Sequence, residues 1–499
     1  MYGSVSEVSE WDGGMRSDYV AQPPSPDPHL LHAESGDFDE HIDLLRRRRS
    51  RGMRKVVHLA VGFCFQFAAY NTIQNYVTTL LPGSLGFTSL CVLYVAVCPS
   101  LLLAPAVCAR LGDRCTLVVG SLCYAVWILS LLRPKQEWLV LLASAVIGFG
   151  AAILWVAQGS YLTSFGDTTN RDVLAGTFWG IYQCSGVLGN LAAYLVLSKF
   201  QGGDSGSHAP LFIGGLALSL VAAVGFGFLS PLQKDARWEQ DEREGSLLGG
   251  RPIHSSTAGI AFTRLDGTYS EVSSAATVVP PTFAPCQSLS HEWEQIQMKK
   301  GEFLCLAPLL FLTGYEMGFV AGEFPKIFAP NNAEHPIKQS SISLVFLAWA
   351  FAEVLGSYSV GKVAHVVGKR TTLMLGGTIF VVALCITWAL QTDHLVGEAW
   401  EGVSVWAFTA AAAFGIADCV FNVIVLSKLG DMYPQQGSHG AFTLYQFLQN
   451  AGSAIAFLLP VLFCEDEKKD GCEEFTSWYI ASQGLILLIS MIGFCMLGR

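Results

Sequence analysis

Apolar residues in this chain gather into long runs, each close to the roughly 20 residues a helix needs to cross the hydrocarbon core of a membrane. Runs occupy residues 56–80, 87–109, 115–133, 138–162, 173–198 and 210–230. They recur over 303–328, 341–362, 371–390, 402–426, 438–462 and 475–497. A polar stretch rich in Ser, Thr, Glu and Pro, residues 231–302, separates the two sets of six and reads as a cytoplasmic linker. Residues 1–45 are polar with no apolar period, and Arg46, Arg47, Arg48, Arg49, Arg51, Arg54 and Lys55 abut the first run. Residues 1–55 are therefore expected to be a disordered cytoplasmic tail. The pattern predicts an all-α membrane protein with twelve transmembrane helices in two six-helix halves, 56–230 and 303–499.

Composition supports this class. The chain is 52% hydrophobic and 14% charged, where soluble proteins carry about 25% charged residues. Mean hydropathy is +0.42, so the lipid bilayer is the first expected partner. With the N-terminus in the cytoplasm and the spans alternating, all but seven of the 30 Lys and Arg fall on the cytoplasmic side. The exceptions are Arg133, Lys135, Lys199, Lys326, Lys338, Lys468 and Lys469. That bias follows the positive-inside rule, although the long tail and linker, where the rule counts less, hold most of it. The net charge of −10 arises mostly in tails and loops and points to no nucleic-acid partner.

The order of the spans repeats. L-G-D-R-C-T-L-V-V-G (111–120) follows span 2, and V-G-K-R-T-T-L-M-L-G (367–376) follows span 8. Span 5 holds W-G-I-Y-Q with Gly189 downstream, and span 11 holds F-T-L-Y-Q with Gly452 at the same offset. First-half spans thus match spans six later, in the same order, as in a parallel repeat.

Polar residues inside the spans are expensive in lipid and mark cavities or helix contacts. Spans 3, 6 and 9 carry no interior Asn, Gln, Asp or Glu, and span 12 has only Gln483. Span 1 carries Asn71, Gln74 and Asn75, span 4 Trp155 and Gln158, span 5 Gln183, span 7 Glu316, span 10 Asn422, and span 11 Tyr445 and Gln446. These are the candidate cavity residues. The competing reading makes each amide a helix–helix hydrogen bond worth about 0.6 kcal/mol. Glu353 in span 8 and Asp418 in span 10 stand apart, because no interior Lys or Arg is available to pair with them. Such a carboxyl either holds a proton or faces water and cations, so both are candidates for ion or proton coupling. The alternative is a protonated structural hydrogen bond. Glu323, with Lys326 three residues on, is expected to form a surface ion pair.

Catalytic and metal signatures are missing. The chain has no H-E-x-x-H, P-loop or G-x-S-x-G and no C-x-x-C pair. No enzyme activity, metal or cofactor is expected. Cys464 and Cys472 flank an acidic loop; they form a disulfide if it faces an oxidising lumen and are free thiols otherwise. E-H-I-D-L-L (40–45) fits an acidic dileucine sorting pattern through Glu40, Leu44 and Leu45. Such motifs direct proteins to endosomal, lysosomal or vacuolar membranes, and the expected location is one of these or the plasma membrane. The alternative is plain solvated tail.

Several motifs fall in order along the spans: G-F-T-S-L-C-V-L-Y (86–94) with A-P-A-V (104–107), G-F-G-A-A-I-L-W-V-A-Q-G-S-Y-L-T (148–163) and F-W-G-I-Y-Q-C-S-G-V-L-G-N (178–190). T-G-Y-E-M-G-F-V-A-G-E-F (313–324) and G-I-A-D-C-V-F-N (415–422) follow in spans 7 and 10. Together they resemble the Unc-93-like family of the major facilitator superfamily, the last motif its Unc-93-like, major-facilitator-domain-containing branch. The likeness covers about 55–498 outside the linker. It implies a twelve-span facilitator fold with both termini cytoplasmic, spans 1, 4, 7 and 10 lining a cavity, and spans 3, 6, 9 and 12 outside. It implies a secondary transporter of a small solute or ion working by alternating access. The other activity it implies is a non-transporting regulator of a potassium channel, or a trafficking chaperone for membrane receptors. A channel or receptor membrane protein would then be its partner. The usual gating motif between spans 2 and 3 is degraded. Ala109 and Arg110 stand where an Asp-Arg pair is expected, and Asp113 replaces a base after Gly112. That departure leans toward a regulator.

Overall fold

The computed structural model describes residues 28–163, 171–200, 209–230, 299–329, 340–392, 398–400, 403–433, 438–464 and 471–497. The chain divides into Met1–Arg51 and Gly52–Arg499, and the architecture below concerns the second unit. Among the described residues, twelve helices are long and apolar enough to span a membrane. The first half comprises α1 (Pro28–Leu80), spanning over Gly52–Leu80, α2 (Leu85–Leu111), α3 (Asp113–Leu131), α4 (Glu137–Thr163), α5 (Arg171–Phe200) and α6 (Ala209–Gly227). The second comprises α7 (Lys300–Gly322), α8 (Ser340–Val367), α9 (Lys369–Gln391), α10 (Val405–Met432), α11 (Ser438–Phe463) and α12 (Gly471–Met496). A short helical turn, Phe324–Phe328, follows α7. A two-stranded hairpin, β1 (Glu398–Trp400) with β2 (Val403–Ser404), precedes α10.

One expectation needs correction. Residues 28–51, read from sequence as disordered tail, are helical and belong to α1. Pro28 suits a first helical position. The segment after it contains no further proline and is rich in Leu, Glu and Arg, which favour helix. Most of the linker, 231–298, lies outside the described residues.

Helices in lipid gain little from hydrophobic exclusion, so they hold together by close packing and interhelical hydrogen bonds. Glycine permits that closeness where it is greatest. A methyl group on Gly314 of α7 would strike the backbone carbonyl of Gln449 in α11. One on Gly452 of α11 would strike the backbone of Phe311 in α7. Gly189 of α5 does the same against Ala68 and Thr72 of α1. The Gly189 and Gly452 positions of the repeat therefore perform one job in each half.

The loop repeat also has a physical basis. Gly112 (φ 75°, ψ 154°) and Gly368 (φ 87°, ψ 152°) make the sharp turns between α2 and α3 and between α8 and α9. Positive φ of this kind suits glycine. Thr116 and Thr372 then donate their hydroxyls to the Gly112 and Gly368 carbonyls, at 2.9 and 3.0 Å.

The outer layer is α3, α6, α9 and α12. Their exposed apolar residues, among them Val126, Val224, Val382 and Leu488, point away from the bundle. Gln483 of α12 turns inward and donates to the Tyr315 carbonyl at 3.4 Å. The halves meet where α2 packs on α11 and α5 on α8.

One end of this interface is tied shut. Thr78 of α1 donates to the Gly322 carbonyl of α7 at 3.0 Å. The Tyr76 hydroxyl bonds Ser343 of α8, and Phe457 of α11 stacks on Tyr94 of α2 with centroids 5.6 Å apart. At the opposite end, polar ties run within each half. Ser160 donates to Asp113 at 3.0 Å, and Lys369 forms an ion pair with Asp431. Glu323, expected as a surface group, is buried at the tied end and accepts from Thr476 at 2.9 Å. Lys326 Nζ lies over the Phe87 ring, 4.6 Å from its centroid.

Backbone-limited packing is testable. Gly314→Ala should destabilise the detergent-solubilised protein by about 2 kcal/mol, whereas Gly176→Ala, with open space around it, should leave the melting curve unchanged. Thermal denaturation followed by size-exclusion chromatography reads both.

Candidate functional site

The spans carry their polar residues to mid-depth, between the halves. Asp418 and Asn422 lie one turn apart on α10, so they share a face. Asn422 Nδ2 donates to Asp418 Oδ1 at 2.8 Å. Tyr445 of α11 donates its hydroxyl to Asn422 Oδ1, also at 2.8 Å, and Gln449 Nε2 approaches that oxygen at 3.5 Å. Asn422 is thus a hub that orients Asp418 and ties α10 to α11. On α8, Glu353 Oε1 accepts from Gln183 Nε2 of α5 at 2.8 Å. That hydrogen bond joins the two halves directly.

Three carboxyls share this region. Glu353 lies near enough to Asp418 to feel its charge, and Glu316 of α7 feels both. Glu316 is 1% exposed, and neither carboxyl oxygen has a hydrogen-bond partner. A carboxyl in that position must hold a proton or be met by a cation, because an unpaired charge in such surroundings is very costly. Glu353 and Asp418 keep some accessible surface inside the bundle. Among the described residues, no three His, Cys, Asp or Glu side chains cluster tightly enough to hold a metal ion.

Across from the carboxyls stands an aromatic group from the first half. Trp155 of α4 lies 5.1 Å from Phe67 and 5.6 Å from Tyr182, centroid to centroid. The Tyr182 hydroxyl faces Asn71 and sits within electrostatic reach of Glu353 and Asp418.

The candidate residues separate accordingly. Asn71, Gln183, Glu316, Glu353, Asp418, Asn422 and Tyr445 converge, with Trp155 in the adjoining aromatic group. Gln446 is partly accessible on α11, and its carbonyl accepts from Asn450 at 2.6 Å. Gln74 is buried and accepts from Tyr94 at 3.3 Å. Asn75 and Gln158 are also buried. Gln66, on the same face of span 1, accepts from Ser121 of α3 and Ser219 of α6 and so serves packing. Tyr182 and Gln449, interior polar residues of spans 5 and 11, are not among the cavity candidates named from sequence. The available signal for Tyr182 was its place beside Gln183 and one turn after Trp179. Cys464 and Cys472 are joined in a disulfide, with Cα atoms 5.3 Å apart. Glu40, Leu44 and Leu45 fall on the helical segment 28–51, and their side chains lie outside the described residues.

Twelve spans in two halves around a polar interior define an integral, multi-pass membrane protein of the major facilitator class. Solved structures agree on the fold. A mutant of the nucleoside transporter NupG superposes with a TM-score of 0.61 at 13% identity, covering 90% of this chain and 100% of that one. A mutant of the peptide transporter POT in complex with sulfate gives 0.58 at 13%, covering 90% and 95%. Residues 82–464 match the family model described as "Ion channel regulatory protein UNC-93", and the chain belongs to the UNC-93 family. Its relatives include UNC93-like protein MFSD11 of Xenopus tropicalis, 28% identical over 427 residues and covering 82% of this chain and 90% of that one. Protein unc-93 homolog A of Bos taurus is 26% identical over 435 residues, covering 83% and 89%.

The Asn422 hub predicts graded losses. Tyr445→Phe, which deletes one hydrogen bond, should lower stability by about 0.6 kcal/mol, and Asn422→Ala, which deletes several, by about 1–2 kcal/mol. Unfolding of the two variants in matched detergent checks the order.

Proposed function

We propose that this protein is a secondary transporter that moves a small solute or ion by alternating access. The observation that carries this reading is the Gln183–Glu353 hydrogen bond between the halves. A carboxyl that is bonded across the moving interface, beside a second carboxyl, links its own occupancy to how the halves sit. Proton or cation binding at Glu353 and Asp418 would release Gln183 and let α5 and α8 part, while the ties of Thr78 and Tyr76 would give way at the other end. Asn71, Gln183, Asn422, Tyr445 and Gln446 would contact the solute. Family and fold are those of transporters and regulators.

A second reading has one specific support, the description of the matched family as an ion channel regulatory protein. There the polar interior would be structural, and a channel or receptor would bind the bundle stoichiometrically. Co-purification in mild detergent separates the readings, since a stoichiometric membrane partner favours the second and a lone chain the first.

The Cys464–Cys472 bridge supports one orientation. A disulfide persists on an oxidising side, so the α11–α12 loop would lie in the lumen or outside, and both termini with the linker in the cytoplasm. Protease applied to the cytoplasmic face of intact organelles should cut within 231–302 and spare the α11–α12 loop; cleavage of that loop instead inverts the topology.

For transport itself, purified protein in liposomes should give currents or internal pH changes on rapid potassium or pH jumps. Asp418→Asn and Glu353→Gln should abolish them while the variants still elute as folded protein. Undiminished flux in both variants removes the carboxyls from coupling.

A further inference from the structure

The walls of the site carry information about its cargo. The second half contributes Glu353 and Asp418, which retain accessible surface. Beyond them lies Glu316, whose two buried oxygens have no partner and which feels the charge of both. A buried acid without a donor, beside two others, is a group waiting for one. The first half contributes aromatic rings, with Trp179 stacked on one face of Trp155 and Phe178 on one face of Tyr182, which leaves their other faces and edges to a ligand. Phe67, Trp155 and Tyr182 meet at 5.1–5.6 Å, and Trp155 and Tyr182 remain partly accessible. Tyr182 bridges the two chemistries, since its hydroxyl lies within reach of Glu353 and Asp418 and its neighbour Gln183 bonds Glu353.

Both surfaces select the same sign of charge. Aromatic faces attract cations through the ring quadrupole, and quaternary and alkyl ammonium groups are bound in this way elsewhere. Carboxyls attract them directly. No Lys or Arg lies in the span interiors to hold an anion. Among the described residues the acids are not gathered for chelation of a metal ion, so a bare divalent ion fits poorly. An extended ligand fits better, with its charged head among the acids and its apolar body against the rings.

We propose that the site binds an organic ammonium cation, its nitrogen held by Asp418 and Glu353 and its apolar body laid on Trp155 and Tyr182. Movement of that cation rests on the transport reading; its binding does not.

The test uses the full-length protein in lipid nanodiscs. Benzyltrimethylammonium, phenethylammonium and tetraethylammonium are titrated against tryptophan fluorescence and thermal stability, with 3-phenylpropionate and benzyl alcohol as anionic and neutral controls. Saturable binding of the cations and none of the controls is expected. Asp418→Asn and Glu353→Gln should each weaken it about tenfold or more, Trp155→Leu about five- to tenfold, and Trp155→Phe by less than about threefold. If a carboxyl variant fails to elute as folded protein, the Trp155→Leu and Trp155→Phe pair still decides. No saturable binding of any of the three cations by monodisperse wild type overturns the proposal. So does equal binding of benzyl alcohol, or affinity unmoved by all these substitutions. Uptake of the bound cation into proteoliposomes is measured in parallel. Binding without uptake removes the transport reading and upholds this one, whereas wild-type proton or potassium flux with no cation binding does the reverse.

Discussion

Hydrocarbon offers no hydrogen bonds, so polar side chains carried into the membrane are driven to find partners within the protein, and one left without, such as Glu316, is costly. That constraint organises the whole molecule. Gln66 finds Ser121 and Ser219, which locks α1 to α3 and α6. Asn422 finds Asp418 and Tyr445, which locks α10 to α11. Glu353 finds Gln183 only by reaching across to the other half. The first two bonds stabilise each half, and the third makes the relation between halves depend on a carboxyl.

Close approach makes these partnerships geometrically available. The backbones of α7 and α11 touch at Gly314 and Gly452, and those of α5 and α1 at Gly189. At such separations the short reach of an Asn or Asp side chain suffices to bridge helices. The same pairing recurs in both halves, with α2 on α11 and α5 on α8 as the surfaces between them. Thr78 on Gly322 and Tyr76 on Ser343 join the halves at one end, while Asp113 and Asp431 at the other are satisfied within their own halves.

The interior is asymmetric in chemistry although the fold repeats. Both halves pack aromatic rings, but Glu316, Glu353 and Asp418 all lie in the second. Asp113 and Lys369, at matching places of the loop repeat, show the same divergence. Lys369 makes an ion pair with Asp431, and Asp113 takes a hydroxyl from Ser160. Duplicated geometry thus carries divergent side chains in the two halves.

Spans, the repeat and the outer layer were legible in the sequence because lipid imposes them locally. A run such as 371–390, apolar on all sides, has one stable setting, and a Gly at 112 or 368 marks its own turn through a backbone angle few other residues accept. Glu353 and Asp418 stood out in the sequence as well, since no span interior holds a Lys or Arg to meet them. Residues 28–51 misled, because a polar segment of good helix formers reads by composition as tail and by propensity as helix. What sequence left undecided was which polar groups meet. Gln66 and Asn71 differ by little more than one turn of α1, yet one is buried in packing and the other faces Tyr182. Glu323 looked like a surface residue until the fold brought Thr476 against it. Local hydrophobicity decides that a helix crosses the membrane; only the packing of distant helices decides which of its faces sees lipid, which sees a neighbour and which sees the cavity.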